Sequence, residues 1–298
     1  MSATTAGPAD AAPACPGGAA PARLVGAVPG AALEGLTVDA SGRLYTTDLV
    51  SGRVFRLTAP GAPAVPIATV PGGRGAGALA WTPDGTLLVG YGADPRVLIG
   101  DAVRQASIAR LNVTTRALRP WVTGLSAANG MDTSARGNVY ATNDFGNMIG
   151  RVTPTGAVNP GWGHLPSANG AVLSADDGWL YVSRTWVNPG VSRLSTSNPR
   201  IRQSLLSTAF TDGPDGLTLD AQGRPVVPFN GSGRIVRVTA PGRYCVLASG
   251  LPTSSVVSYG RGDRGFSQGR LFRAGFDGRI YEIPSGFDRG SVAAFPGR

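Results

Sequence analysis

Along most of the chain, apolar and polar residues alternate in short runs, broken every few positions by Gly, Asp, Asn and Pro. Alternation with period two predicts β-strands that send successive side chains to opposite faces. The runs recur as a phrase. GLTVDASGRLYTTD leads into RVFRLTAPG, GALAWTPDGTLLVGYG into SIARLNVTT, and NGMDTSARGNVYATND into MIGRVTPTG. NGAVLSADDGWLYVSR leads into VSRLSTSN, DGLTLDAQGRPVVPFN into RIVRVTAPG, and a degenerate VVSYGRGDRGFSQGRLFRAG precedes RIYEI. Each unit reads strand, Asp/Gly turn, strand, loop, strand, and many add an apolar run such as VPIATV, LRPWVTGL or YCVLASGL. Four antiparallel strands per unit of roughly 40–50 residues is the size of a propeller blade. The fold expected is therefore all-β, a six-bladed β-propeller with four-stranded antiparallel blades around a central channel. A sandwich or a parallel β-helix would show less regular or shorter repeats. Helical periodicity is not sustained over three turns anywhere; the closest stretch is Ile99–Ala109, inside the longest connection.

The repeat sets the domain division. Residues 1–21 are rich in Ala, Pro and Gly and read as a flexible N-terminal segment, and 22–298 as a single propeller domain. Ala22–Val28 precedes the first unit and looks like a spare outer strand, which would close the ring by pairing with the C-terminal blade. The two cysteines, Cys15 and Cys245, are too far apart in sequence for a CxxC redox pair or a cysteine zinc site. They are either two free thiols or one disulfide clasping the ends of the chain. The second alternative suits an exported protein. The first thirty residues carry neither a basic n-region nor an apolar h-region. A secreted or periplasmic mature domain whose leader was replaced by Met1 is the expectation, with cytoplasmic residence the alternative.

Charge narrows the partners. The formal +9 comes entirely from arginine, because the chain has no lysine, which removes Schiff-base chemistry and a lysine base. The arginines are scattered one or two per repeat, without the clustered patch and interleaved aromatics of a nucleic-acid surface. No apolar run is long enough to span a bilayer. A monomer with neither nucleic-acid nor membrane partners is expected.

The candidate chemistry lies at one register. Counting eight residues back from the turn glycine reaches Glu34 from Gly42, Asn129 from Gly137 and Asp215 from Gly223. Asn169 stands nine before Gly178, with one residue added in the turn SADDG. The same count in the second unit reaches Gly77, and the sixth offers serines around 254–258. Repeats set around a ring bring equivalent positions together at its axis. Glu34, Asn129, Asn169 and Asp215 would then form an oxygen cage of net charge −2. Such a set suits Ca²⁺, or another hard divalent cation, over Zn²⁺, since no sulfur or imidazole is offered. Asn-Gly and Asp-Gly pairs also make ordinary turns, but that does not explain a shared offset before an independent turn. The loops after each second strand should form the wall of a pocket over the cage. They contribute Asp144, Arg184 and Trp186 as candidate substrate-binding residues, with Tyr91–Gln105 as a candidate lid. Alternatively, Arg184 pairs with a nearby aspartate and Trp186 packs on the rim.

These phrases resemble the gluconolactonase/regucalcin family and its relative diisopropylfluorophosphatase. That resemblance covers residues 22–285 and rests on Glu34-Gly35, Asn129, Asn169 and Pro214-Asp215-Gly216, which stand in the family's order. At the second site the regucalcin-like branch often has Asn-Asp-Gly, where this chain has Asn129-Gly130-Met131. The resemblance implies a channel-bound Ca²⁺ and hydrolysis of a small-molecule lactone or related ester. Asp215 would act as general base or nucleophile, and Glu34 as ligand and catalytic partner. A phosphotriesterase-type reaction on the same cage, and a non-catalytic propeller braced by Ca²⁺, are the alternatives. The single histidine, His164, reads as a structural or surface residue, with reach to the pocket mouth the alternative, and no G-x-S-x-G phrase sits at a useful turn, so a serine triad is not expected.

Overall fold

The computed structural model describes residues 12–16 and 20–288. Six four-stranded antiparallel sheets stand around a channel. Blade 1 runs through Leu33–Val38, Leu44–Asp48, Arg53–Leu57 and Val65–Thr69, innermost strand first. Blade 2 begins at Gly75–Trp81, blade 3 at Met131–Thr133, blade 4 at Ala168–Leu173 and blade 5 at Thr218–Leu219. Blade 6 takes three strands from the C-terminal end, Ser254–Tyr259, Leu271–Gly275 and Arg279–Glu282. Its fourth and outermost strand is Arg23–Ala27, so the N-terminal run closes the ring as expected.

A blade lies between two neighbours, so both faces of its inner strands are buried. This is why LYTTD (Leu44–Asp48) is buried at every position, whereas the outer strand Val65–Thr69 buries mainly Ile67. The core is accordingly divided into apolar clusters, one in each gap between adjacent blades. Leu33, Leu57 and Ile280 fill the gap between blades 6 and 1, while Tyr140, Ile149, Leu180 and Val182 fill that between 3 and 4.

The turn at the far end of each inner hairpin is also regular. Gly42, Gly85, Gly137 and Gly223 adopt φ between +73° and +80° there, a conformation that favours glycine. In blade 4 the left-handed residue is Asp177 (φ 58°), not Gly178. Asp177 follows Asn169 by eight, so the added residue comes after the turn's left-handed position and the offset is uniform. The carboxylates that open two of these turns are structural. Asp39 accepts bonds from the Ser41 and Arg43 amides, the Arg43 guanidinium and the Tyr45 hydroxyl, and Asp220 serves Gln222 and Arg224 in the same way.

The described part of the expected flexible segment is tied down. The Cys15 amide donates to the Val246 carbonyl and the Val246 amide to the Pro13 carbonyl, beside a Cys15–Cys245 disulfide. Residues 1–11 and 17–19 lie outside the described residues. The longest connection holds a short 3₁₀ turn, Pro95–Ile99, and one α-helical turn, Gly100–Val103. Among the described residues no helix is long and apolar enough to cross a membrane.

Candidate metal centre and pocket

The register residues meet at one mouth of the channel. Glu34, Asn129, Asn169 and Asp215 all line a cavity of about 630 Å³. The first three also line a second cavity of about 290 Å³ that continues down the channel. They therefore form a partition, the floor of the larger space. The glycine after each of them is not there for a turn. A Cβ on Gly35 would lie 2.5 Å from the Gly77 carbonyl oxygen, and one on Gly130 would lie 2.1 Å from that of Asn169. At Gly170 it would come within 2.7 Å of the Gly216 Cα. Glycine lets neighbouring inner strands converge tightly enough for the side chains before it to share one floor.

Hydroxyl groups lock that convergence. The Gly35 amide donates to Thr47 Oγ1, which donates to the Gly77 carbonyl, the register residue of the next blade. Thr142 likewise takes the Gly130 amide and passes its own proton to the Asn169 carbonyl. In blade 4 the Gly170 amide reaches Ser183, while Thr185 donates to the Pro214 carbonyl at 2.7 Å.

Above the floor sits a second tier. Asn129 Nδ2 donates to Asp144 Oδ1, Asn169 Nδ2 to Thr185 Oγ1 and Asn230 Nδ2 to Asp215 Oδ2, each at 2.9 Å. The Gly216 amide donates to the other oxygen of Asp215 at 3.0 Å. Asn230 and Thr185 escaped the sequence reading, yet the signal is the repeat itself. Asp144 and Asn230 each stand fifteen residues after a register residue, and Thr185 sixteen, because blade 4 has the longer turn.

Electrostatically the floor is under load. Burial pushes the Asp215 carboxyl up to about 7, against the hydrogen bond from Asn230 and with the nearby Asp144 charge adding to the rise. Burial also raises Glu34 well above the usual carboxylate range, reinforced by Asp215 and Asp144. Asp144 is raised by burial as well, against bonds from Trp186 and Asn129. Two buried acceptors, Glu34 Oε2 and Asn169 Oδ1, have no hydrogen-bond partner. A buried acceptor without a donor, among carboxylates that resist ionising together, is a setting that a cation relieves. The oxygen-only donor set fits a hard divalent ion. Carboxylates alone do not make the site: among the described residues no three His, Cys, Asp or Glu form a metal-holding group. The set depends on the amide oxygens of Asn129 and Asn169.

The loops after all six second strands build the pocket wall, through Leu49, Val97, Phe145, Trp186, Gly231 and Phe276. Of the expected wall residues, Asp144 and Trp186 are in place, and Trp186 Nε1 donates to Asp144 Oδ2 at 3.3 Å. Arg184 does not line the pocket, and that expectation is corrected. It alternates with Ser183 and Thr185 along the strand, so its buried side chain turns to the other face, with Nη2 3.5 Å from Ser204 Oγ. The expected lid is a tethered wall. Asp101 accepts from Ser126 Oγ at 2.6 Å and the Asn147 amide at 2.7 Å, and Asn143 Nδ2 holds the Val97 carbonyl. His164 is exposed on an outer strand, and Glu282 pairs with Arg270.

Residues 32–258 match the family described as SMP-30/Gluconolactonase/LRE-like region. The chain belongs to that family. Among solved structures it resembles a gluconolactonase from Xanthomonas campestris (18% identity, TM-score 0.71), over 94% of this chain and 98% of that one. A calcium-binding protein, regucalcin, from Agrobacterium tumefaciens matches at 17% identity and TM-score 0.68, covering 89% and 93%. Virginiamycin B lyase from Staphylococcus aureus follows the same fold at 17% identity and TM-score 0.58, covering 85% and 84%. At these identities the likeness is one of fold. No protein of curated function matches the chain.

Proposed function

We propose that this family member is a Ca²⁺-dependent hydrolase of a lactone or related ester. One observation carries the reading: two unpartnered buried acceptor oxygens, beside carboxylates that burial raises above their ordinary range, floor a cavity that all six blades wall. Glu34, Asn129, Asn169 and Asp215 would hold the ion, which supplies a Lewis acid for a carbonyl oxygen. Asp215 is oriented through both oxygens by Asn230 and the Gly216 amide. As general base it takes a proton from a water, whose oxygen attacks the carbonyl carbon. The ester C–O bond then breaks and the departing alkoxide recovers a proton. As nucleophile it would attack the carbon itself, expelling the alkoxide, which takes up a proton, and forming an acyl-aspartate anhydride that water then opens at the Asp215 carboxyl carbon. Single turnover in ¹⁸O-water separates the two: label in the released acid means base, label in Asp215 means nucleophile.

The deciding experiment is hydrolysis of a panel of lactones, esters and a neutral phosphotriester by chelator-treated protein, with and without Ca²⁺, beside metal analysis of untreated protein. Turnover of lactones or esters restored by Ca²⁺ supports the proposal. Turnover of the phosphotriester alone moves the chemistry to phosphorus. Bound Ca²⁺ without turnover favours a binding platform, a second reading to which the exposed aromatics at the pocket mouth lend weight. The buried Cys15–Cys245 disulfide fits an oxidising, extracytoplasmic location, which we propose as well.

A further inference from the structure

Resting on that reading, we infer that the pocket accepts a neutral lactone or ester bearing an apolar, planar substituent, in preference to a polyhydroxylated sugar lactone. The rim supplies the first argument. Phe145 and Trp186 stack with ring centroids 6.1 Å apart and planes 20° from parallel, and Phe210 stands 6.0 Å from Trp186, tilted by 49°. These rings remain 46%, 44% and 63% exposed, and all three line the pocket. Phe276, 37% exposed, belongs to the same wall. Grouped exposed aromatic surface at a cavity mouth is an apolar ligand's footprint. The indole is also held in place. Its Nε1 donates to Asp144, and the Trp186 amide donates to Ser167 Oγ at 2.7 Å. A platform fixed before binding loses little freedom on binding.

Polar matching argues against the sugar. Several polar wall groups are already engaged with one another: Asp144 with Asn129 and Trp186, Asn230 with Asp215, Asp94 with Arg96 and Gln105. A ring carrying a hydroxyl on each carbon would lose water contacts and find few free partners above the floor. Charge gives the third argument. The charged side chains lining the cavity are Glu34, Asp94, Asp144 and Asp215, with no arginine among them. With Ca²⁺ balancing Glu34 and Asp215, no cationic side chain on the wall is left to hold an anionic substituent, and a neutral one is favoured.

The test compares kcat/KM for gluconolactone and a phenyl-substituted δ-lactone, in Ca²⁺-loaded wild type, Phe210→Ala and Trp186→Ala. Calorimetric binding of the matching phenyl-substituted lactam, which resists hydrolysis, is measured in parallel. The phenyl lactone should be preferred by at least about tenfold, and both variants should reduce that preference severalfold. Phe210 is largely exposed, so its truncation leaves the core intact. Equal or greater activity on gluconolactone would overturn the inference, as would a preference that neither variant alters. If no lactone turns over, the lactam decides. Binding weakened by Phe210→Ala upholds the apolar pocket while the hydrolase reading falls, and no binding overturns the inference.

Discussion

At the scale of single residues, the floor combines two carboxylates whose burial opposes ionisation with amide oxygens left over after their N–H groups are spent. Asp215→Asn keeps the shape and removes the base. Turnover should fall by roughly 10²–10⁴-fold, the usual range for a general base, and steady-state kinetics on any substrate of the panel checks this. Glu34→Gln removes one ligand charge, and Ca²⁺ affinity measured by calorimetry should drop by at least about tenfold. The same groups set a pH dependence in the metal-free protein. Asp215 titrates near 7 when folded but near an ordinary carboxylate value when unfolded. Between those values the folded state holds a proton that the unfolded state has released. Stability of the chelated protein should therefore fall as pH rises from about 4 to about 7, on the order of a few kcal/mol. Glu34 adds to the slope in the same direction. Thermal melts across that range should show the decline, flattened in Asp215→Asn. A chelated wild type that instead gains stability towards pH 7 would refute the burial argument.

Within the elements, what matters is how near one inner strand comes to the next. Gly130 and Gly223 are both glycines of inner hairpins, yet they are required for different reasons. A Cβ at Gly130 would meet the Asn169 carbonyl at 2.1 Å, whereas one at Gly223 meets nothing within 4 Å and suffers only the left-handed φ of +73°. Gly130→Ala should cost about 1–3 kcal/mol by overpacking and also weaken Ca²⁺ binding, because the backbone of a ligand residue is pushed aside. Gly223→Ala should cost about 1 kcal/mol through backbone strain and leave Ca²⁺ affinity unchanged. Chemical denaturation paired with metal titration separates the two. The contrast also marks what was legible in the chain. Strand alternation and the recurring turn made the blades and the register that gathers Glu34, Asn129, Asn169 and Asp215 at one cavity readable. The steric role of the glycines was not, because Asn-Gly and Asp-Gly look the same in a turn and in a close approach. The count of nine from Gly178 has a related cause: Asp177 takes the left-handed position that glycine holds in the other turns. Arg184 was assigned to the wall by its loop position, although strand alternation between Ser183 and Thr185 turns it to the other face.

Over the whole molecule, ring closure uses two fastenings at different places. The strand Arg23–Ala27 completes blade 6 through hydrogen bonds, while Cys15 is bonded to Cys245 in the outer strand of blade 5. The N-terminal chain therefore bridges the last two blades, and the disulfide ties together residues 230 positions apart. A crosslink over so long a loop restrains the unfolded chain strongly, and removal of a native bridge typically costs about 2–4 kcal/mol. Both cysteines are buried, at 2% and 5% exposure, so the double replacement should be Cys15→Ala/Cys245→Ala, which leaves no polar group behind. For a domain of this size the loss corresponds to roughly 3–6 °C in Tm. The outer strand of blade 5 lies three strands from the channel, whereas the floor is built from innermost strands. Ca²⁺ affinity at 25 °C should therefore match wild type even as the melting point drops. A variant that melts like wild type would assign closure to the hydrogen-bonded strand alone. One that also loses Ca²⁺ would mean that strain at the outer edge reaches the floor, through the same tight glycine contacts that bring Asp215 beside Asn169 and Glu34.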